Sequence, residues 1–524
     1  MITTDSALHQ EVRKVMLARK VPTFDKKRQV TSLVREALES VGHFCRTDDS
    51  RLFFFSYPDR VLYDLDQRAF QYLLTSVSGL SATESGFRFL IDVLQADTAR
   101  AGRRVTVHTL AHYDQATERL AVSDGGGGVW TRERGGQWSQ VANGTDGLLF
   151  LTEPDAEPWQ PEFGSNGHTL ARYFEGFLLD NSELTADKQR TLLLVFLLQQ
   201  FFPSQRRTRT IPAFLGPNGS GKTSAMRRIG RLYSGRGFDV TALHRDREDA
   251  FVAAMTNRTV TAIDNADSRV PWLEDALATY ATGTRYRLRR LYSTNEEVNY
   301  EPRAILMISS RDPQFNRPDV AERLLPFHCR RPDHYTPEHA LFSDLMTTRG
   351  AVMGTLLLDA GRVADILPGL TAPALRFRMA DFAAFGWTVF AATGREAEWG
   401  ALLSELERAQ ITFASDGDGL IETLRILFDR GDGHLGPISI GDLYARCRDV
   451  AETEQLPLPK NATSFGTRFT LYRRVIELEL GARVHEERRS GRKRFITITQ
   501  CRAGDGGDGG DGVDGKVSSS RVSP

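Results

Sequence analysis

Gly216-Pro217-Asn218-Gly219-Ser220-Gly221-Lys222-Thr223 keeps the spacing G-x-x-x-x-G-K-[ST] without a departure. That spacing is suited to holding phosphates. The glycines let the backbone turn tightly enough for successive N–H groups to point inward, and the helix that follows, through Ser224, adds the positive end of its dipole. Lys222 would reach the β- and γ-phosphates of ATP and Thr223 would hold Mg²⁺. Further on, the apolar run in RTVTAIDNAD ends at Asp264, an acid placed to orient the same ion through water. Asn265 stands where many ATPases carry a second acid that activates water. A third apolar run, RAILMISS, ends at Ser309, whose hydroxyl can sense the γ-phosphate or position water. Then RPDVAERLLPFHC offers Arg317 and Arg323, with Arg323 the better placed. Such arginines neutralise developing charge on a neighbouring subunit's nucleotide. The plainer alternatives are an ordinary buried strand ending in Asp and a surface helix with solvated arginines.

Specific elements must position these groups. IPAFL reads as a strand feeding the glycine loop and SAMRRIGRLY as the helix leaving it. The alternation of strand and helix around them predicts an α/β sheet over 166–335. Residues 1–165 read as an α+β domain, with strand-like pieces such as RLFFFSY, RVLYDLD and RVTVHTLAHYD. Residues 336–430 read as mostly helical, a lid or connector. DRGDGHLGP reads as a linker to a small module at 431–500. The tail 501–524, GGD-rich and low in apolar residues, is expected to be disordered. The expected fold class is therefore multidomain α/β and α+β.

From about Leu170 to Trp387 the chain resembles the ATPase part of phage- and plasmid-type primase–helicases, superfamily 3 relatives within the AAA+ group. The resemblance rests on GPNGSGKT, HRDREDAFVAAMTNRTVTAIDNAD, PWLEDALATYATGTRYRLRRLYSTNEEV, RPDVAERLL and LRFRMADFAAFGW, in that order. The pair Asp264-Asn265 is usual in that group. The third strand departs from it, ending in Ser309-Ser310 where asparagine and glycine are usual. The resemblance implies an AAA+-type core with a helical lid, ATP-driven action on DNA as an oligomeric ring, and a hairpin before the third strand that points into the ring's channel. Arg378 is a candidate lid arginine.

Two stretches suit nucleic acid on their own chemistry. TRYRLRRLYSTNEEVNY sets Arg285, Arg287, Arg289 and Arg290 among aromatic and apolar residues, as in a β-hairpin with a basic face. The module at 431–500 reads as helix, helix and hairpin, a winged helix. Its second helix carries Arg468, Arg473 and Arg474, and its wing Arg488, Arg489, Arg492, Lys493 and Arg494. Winged helices also bind proteins, and exposed strands are often only solvated. The formal net charge is zero, so attraction to DNA must come from such local patches.

Other classes find little support. The four cysteines are scattered without a CxxC, and the longest apolar run, LLLVFLL, is too short to cross a bilayer. The start of the chain lacks the apolar stretch of a secretory signal. A cytoplasmic protein without a membrane role is expected. Asp64 and Asp66 form a D-x-D with no matching basic or histidine partners, so primase activity is not expected. His43, His108 and His112 lie in strand-like sequence where their side chains need not converge. The working reading is an ATP-hydrolysing DNA motor. Its rivals are a nucleotide-switched DNA-binding regulator and, less favoured, a kinase.

Overall fold

The computed structural model describes residues 6–501 except 154, 165–167, 181–183, 244–246, 267–269, 290–296, 311–316, 416–417 and 490–492. The chain divides into two compact units, Met1–Ala414 and Ser415–Pro524.

The centre of the first unit is a five-stranded parallel sheet. In chain order its strands are Ile211–Leu215, Thr241–Ala242, Val260–Asp264, Ile305–Ser310 and Leu324–His328. Across the sheet the order is second, third, fourth, first, fifth. The sequence explains why these runs lie inside. IPAFL and ILMISS are buried at every position, as strands covered on both faces must be. Parallel neighbours need crossover connections, and the helices Lys222–Ser234, Glu248–Asn257 and Leu273–Ala281 lie between the strands in the chain. The crossovers leave the carboxyl ends of the first, third and fourth strands side by side.

A long helix, Glu338–Ile366, packs on the helix Lys222–Ser234. Arg349 fastens the two together. It is buried and donates to the carbonyls of Leu232 (2.9 Å) and Tyr233 (3.0 Å), in the last turn of the shorter helix, and to that of Glu157 (2.8 Å). Carbonyls left over at a helix end are thereby bonded by a cation, which the helix dipole also favours.

In front of the sheet lie two antiparallel layers. One has the order Val61–Asp64, Leu52–Ser56, Gly42–Arg46, with Arg103–Arg104 added in parallel. The other is a meander through Ala111–Asp114, Arg119–Ser123, Gly128–Glu133 and Ser139–Ala142. The helices Arg68–Ser78 and Ser85–Ala101 pack on the first layer and bury Phe70, Leu74, Phe87, Leu90 and Leu94 against it and the helices Ser6–Leu17 and Thr23–Val41. Reading only strand-like pieces in this stretch overlooked these helices. The meander is tied to the long helix by a bidentate pair, Arg132 to Asp365, both contacts at 2.7 Å.

The second unit runs helix Gly419–Arg430, strand His434–Ser439, helices Ile440–Glu454, Ala462–Leu471 and Arg473–Glu479, and strands Ala482–Arg489 and Lys493–Gln500. Its antiparallel sheet places the last strand between the other two. Ser439 caps one helix, and Asn461 and Ser464 form a capping box on the next. The run NATSFGTRFTLYRRVI is not one helix, as its pattern suggested. It breaks at Tyr472, whose ring is buried, so Arg473 and Arg474 start a separate short helix.

Candidate nucleotide site and basic surfaces

The glycine loop leaves the sheet at the end of its first strand. Gly216, Gly219 and Gly221 all have positive φ, 139°, 77° and 79°. At Gly216 space is the second constraint, because a Cβ there would lie 2.3 Å from the carbonyl oxygen of Cys329. Only glycine fits both conditions. Lys222 opens the following helix and donates from Nζ to the carbonyls of Gly216 (2.7 Å) and Pro217 (2.9 Å). The lysine is thus held folded over its own loop. Ser220 is buried with its hydroxyl oxygen unbonded.

Three groups from three elements meet beside the loop. The Thr223 hydroxyl lies 3.2 and 3.1 Å from the two carboxylate oxygens of Asp264. The Ser309 hydroxyl donates to Asp264 at 2.5 Å and accepts from the Asn265 backbone N–H at 2.9 Å. The register pairs Ser309 with Phe214 and Ile308 with Ile263, so the three strand ends are level. Asn265 has φ 55°, a left-handed conformation that asparagine tolerates better than most residues. These residues fit a magnesium ion. Neighbouring ligands of an octahedral ion with bonds of about 2.1 Å stand about 3 Å apart, close to the Thr223–Asp264 separation.

A segment that the sequence reading missed lies across the loop. After the fifth strand, the Cys329 N–H donates to the Leu215 carbonyl (2.7 Å), and Arg331 Nε donates to the Asn218 carbonyl (2.9 Å). A Cβ at Gly219 would stand 2.7 Å from the Tyr335 hydroxyl, yet Tyr335 is 70% exposed. Burial pushes the Cys329 thiol up to about 12, so it stays protonated and inert.

The arginines Arg317 and Arg323 share one acid. Asp319 takes Arg317 at 3.0 and 3.1 Å and Arg323 at 3.2 Å, and Arg317 also pairs with Asp275. These hydrogen bonds raise the pKa of Arg317 further. Burial and the neighbouring Arg378 lower that of Arg323. The Arg323 side chain is 11% exposed and that of Arg317 38%. Leu324 pairs with Ile211, so Arg323 sits at the far end of the sheet from the glycine loop. That is roughly 15 Å along the strand at about 3.3 Å per residue. Arg378, bound to Glu322 at 3.1 Å, lies at the same end.

The hairpin is present in its strands. Tyr286–Arg289 pairs with Glu297–Tyr300, with Tyr286 opposite Tyr300 and Arg289 opposite Glu297. Tyr286 is buried and donates to the Ala276 carbonyl at 2.6 Å, while Arg285 is exposed. Arg290 lies outside the described residues, as does Arg492. In the second unit, Arg488 and Arg489 end one strand and Lys493 begins the next. Arg468 is held by the buried Asp418 at 2.6 Å, which also caps the Gly419 helix. Arg473 donates to the Val484 carbonyl and faces Glu477 at 3.5 Å. Arg494 pairs with Glu486 at 2.8 Å. Arg474 is exposed.

In the front layers Asp64 is spent on Arg51 at 2.7 Å, and Asp66 accepts from Gln95 at 2.7 Å. Among the described residues, no group of three or more His, Cys, Asp and Glu is arranged to hold a metal. His108 and His112 do converge. Their rings stack at 4.0 Å because a short turn joins the strands Val107–His108 and Ala111–Asp114. Burial, with His112 and Arg303 nearby, drops the His108 pKa to about 3. No described helix is long and apolar enough to cross a membrane.

Residues 177–407, a little under half of the chain, match the family model of the actinomycete integrative conjugative element replication protein. That stretch is similar to a replication protein of a mobile element. No curated protein matches the chain. Among solved structures, the apo NrS-1 C-terminal region (305–718) aligns with 12% identity over 90% of this chain and 99% of that one, at a TM-score of 0.37. The A form of that region gives 11% identity, 89% and 98% coverage and a TM-score of 0.38. The active helicase Cch of SCCmec type IV aligns with 12% identity over 88% and 93%, at 0.41.

Proposed function

We propose that the chain is an ATP-hydrolysing DNA motor of helicase type that serves replication of a mobile element and works as an oligomer. The observation that carries this reading is the junction of Thr223, Asp264 and Ser309 beside a complete phosphate loop, on a five-stranded parallel sheet. In it, loop N–H groups hold the phosphates, and Lys222 leaves its two carbonyl partners for the β- and γ-oxygens. Thr223 and Asp264 hold Mg²⁺, which neutralises phosphate charge when bound. Ser309 fixes the Asp264 carboxylate. An arginine at the far end of the sheet, Arg323 or the more exposed Arg317, serves the nucleotide of the next subunit. The hairpin and the winged-helix unit contact DNA.

The test is ATP turnover by the full chain with no nucleic acid, with single-stranded DNA and with duplex, beside Lys222→Ala. Stimulation by single strands, with a dead variant, supports the motor. The alternative is a nucleotide-switched DNA-binding regulator. Slow turnover indifferent to DNA, with ATP still bound, would select the regulator.

A further inference from the structure

A cleft of about 350 Å³ lies at the foot of the hairpin, between the front layers and the sheet. Arg206, Arg209, Arg285 and Arg303 line it, with the acids Asp48, Asp49 and Glu301. Two of the acids act on one lining arginine, Arg303, and the third on Arg104 outside the lining. Asp49 pairs with Arg303 at 2.8 Å, Asp48 with Arg104 at 2.7 Å, and Glu301 also acts on Arg303. Among the described residues, no carboxylate pairs with Arg206, Arg209 or Arg285.

Arg206 is the telling group. It is 8% exposed, and its Nε has no hydrogen-bond partner. The phenols of Tyr280 and Tyr233 act on it but are neutral and supply no counter-charge, and the neighbouring Arg209 charge opposes it. The Nε of Arg209 is likewise buried and unbonded, although this arginine donates to the Pro302 carbonyl and lies 5.4 Å from the Tyr280 ring centroid. A buried guanidinium beside a half-buried one, with no acid paired to either, is a net burden on the fold. An anion in the cleft removes that burden, and a tetrahedral oxyanion matches the fork of N–H donors best.

We propose that this cleft binds a phosphate group on Arg206 and Arg209, with Arg285 at its mouth. The group comes either from a nucleic-acid backbone at the hairpin or from a free phosphorylated small molecule. The site is separate from the glycine loop and stands whether or not the motor reading holds.

The test uses the full chain carrying Lys222→Ala, so that the glycine loop contributes little. Inorganic pyrophosphate and a fluorescent oligothymidylate are the two probes, read by calorimetry and anisotropy. Arg206→Met is expected to raise the thermal midpoint of the ligand-free protein, because it removes an uncompensated buried charge. It is also expected to weaken at least one probe by about tenfold. Loss on the oligonucleotide identifies a strand phosphate, and loss on pyrophosphate alone a small ligand. A lowered midpoint with both affinities intact makes Arg206 structural and overturns the proposal. If Arg206→Met does not fold, Arg285→Ala, at an exposed position, decides on pyrophosphate alone. A loss of about threefold or more supports the site, and unchanged affinity overturns it.

Discussion

Ser309 bonds two neighbours at once, the Asp264 carboxylate and the Asn265 N–H. Ser309→Ala removes both and leaves a half-buried N–H unpaired. The expected result is a stability loss of about 1–2 kcal/mol in a urea melt. Turnover should fall while ATP affinity stays near wild type, because the phosphate loop is untouched. An unchanged rate would remove Ser309 from the site. His108 makes a second prediction at this scale. Its folded pKa, about 3, lies below the unfolded value of ~6.5. The unfolded chain therefore binds the extra proton, and stability falls as pH drops from about 6.5 towards 3. His108→Phe should flatten that part of the curve in denaturant midpoints taken across the range. Of the residues that matter here, those in the glycine loop and Asp264 were legible because their meaning lies in local spacing. Arg206, Arg331 and Tyr335 were not, because each acquires its role from a partner distant in the chain.

Elements were legible where one period dominated. The buried strands IPAFL and ILMISS read plainly, and the alternation in TRYRLR predicted the hairpin strands that pair Tyr286 with Tyr300. The helices Arg68–Ser78 and Ser85–Ala101 escaped notice because their aromatic and β-branched residues resemble neighbouring strands in composition. The break at Tyr472 was invisible because nothing in LYRRV marks it. The contact between helices Lys222–Ser234 and Glu338–Ile366 yields a prediction. Arg349→Leu strips three carbonyls of their donor, and the urea midpoint should drop by the equivalent of about 3 kcal/mol. A negligible shift would mean that packing alone fastens the long helix.

At the scale of the whole molecule, the division into two compact units carries its own expectation. The second unit has a core of its own, with Leu424, Leu443, Cys447, Phe465, Phe469, Ile476, Ile496 and Ile498 buried. A fragment covering 415–524 should fold alone and melt cooperatively, and a non-cooperative melt would refute this. If it binds duplex DNA as proposed, its affinity should fall steeply with salt, since the contacts available are to phosphates.

The brace across the glycine loop has a consequence for how sequence is free to vary. Gly216 and the Cys329 carbonyl occupy each other's space, whereas Tyr335 reaches Gly219 with a side chain that is mostly in solvent. In a saturation library selected only for folded protein, position 216 should admit almost nothing and position 335 almost anything. Selection for activity should then close position 335 as well. The difference between those two libraries would separate the part of the brace that builds the loop from the part that serves what the loop holds.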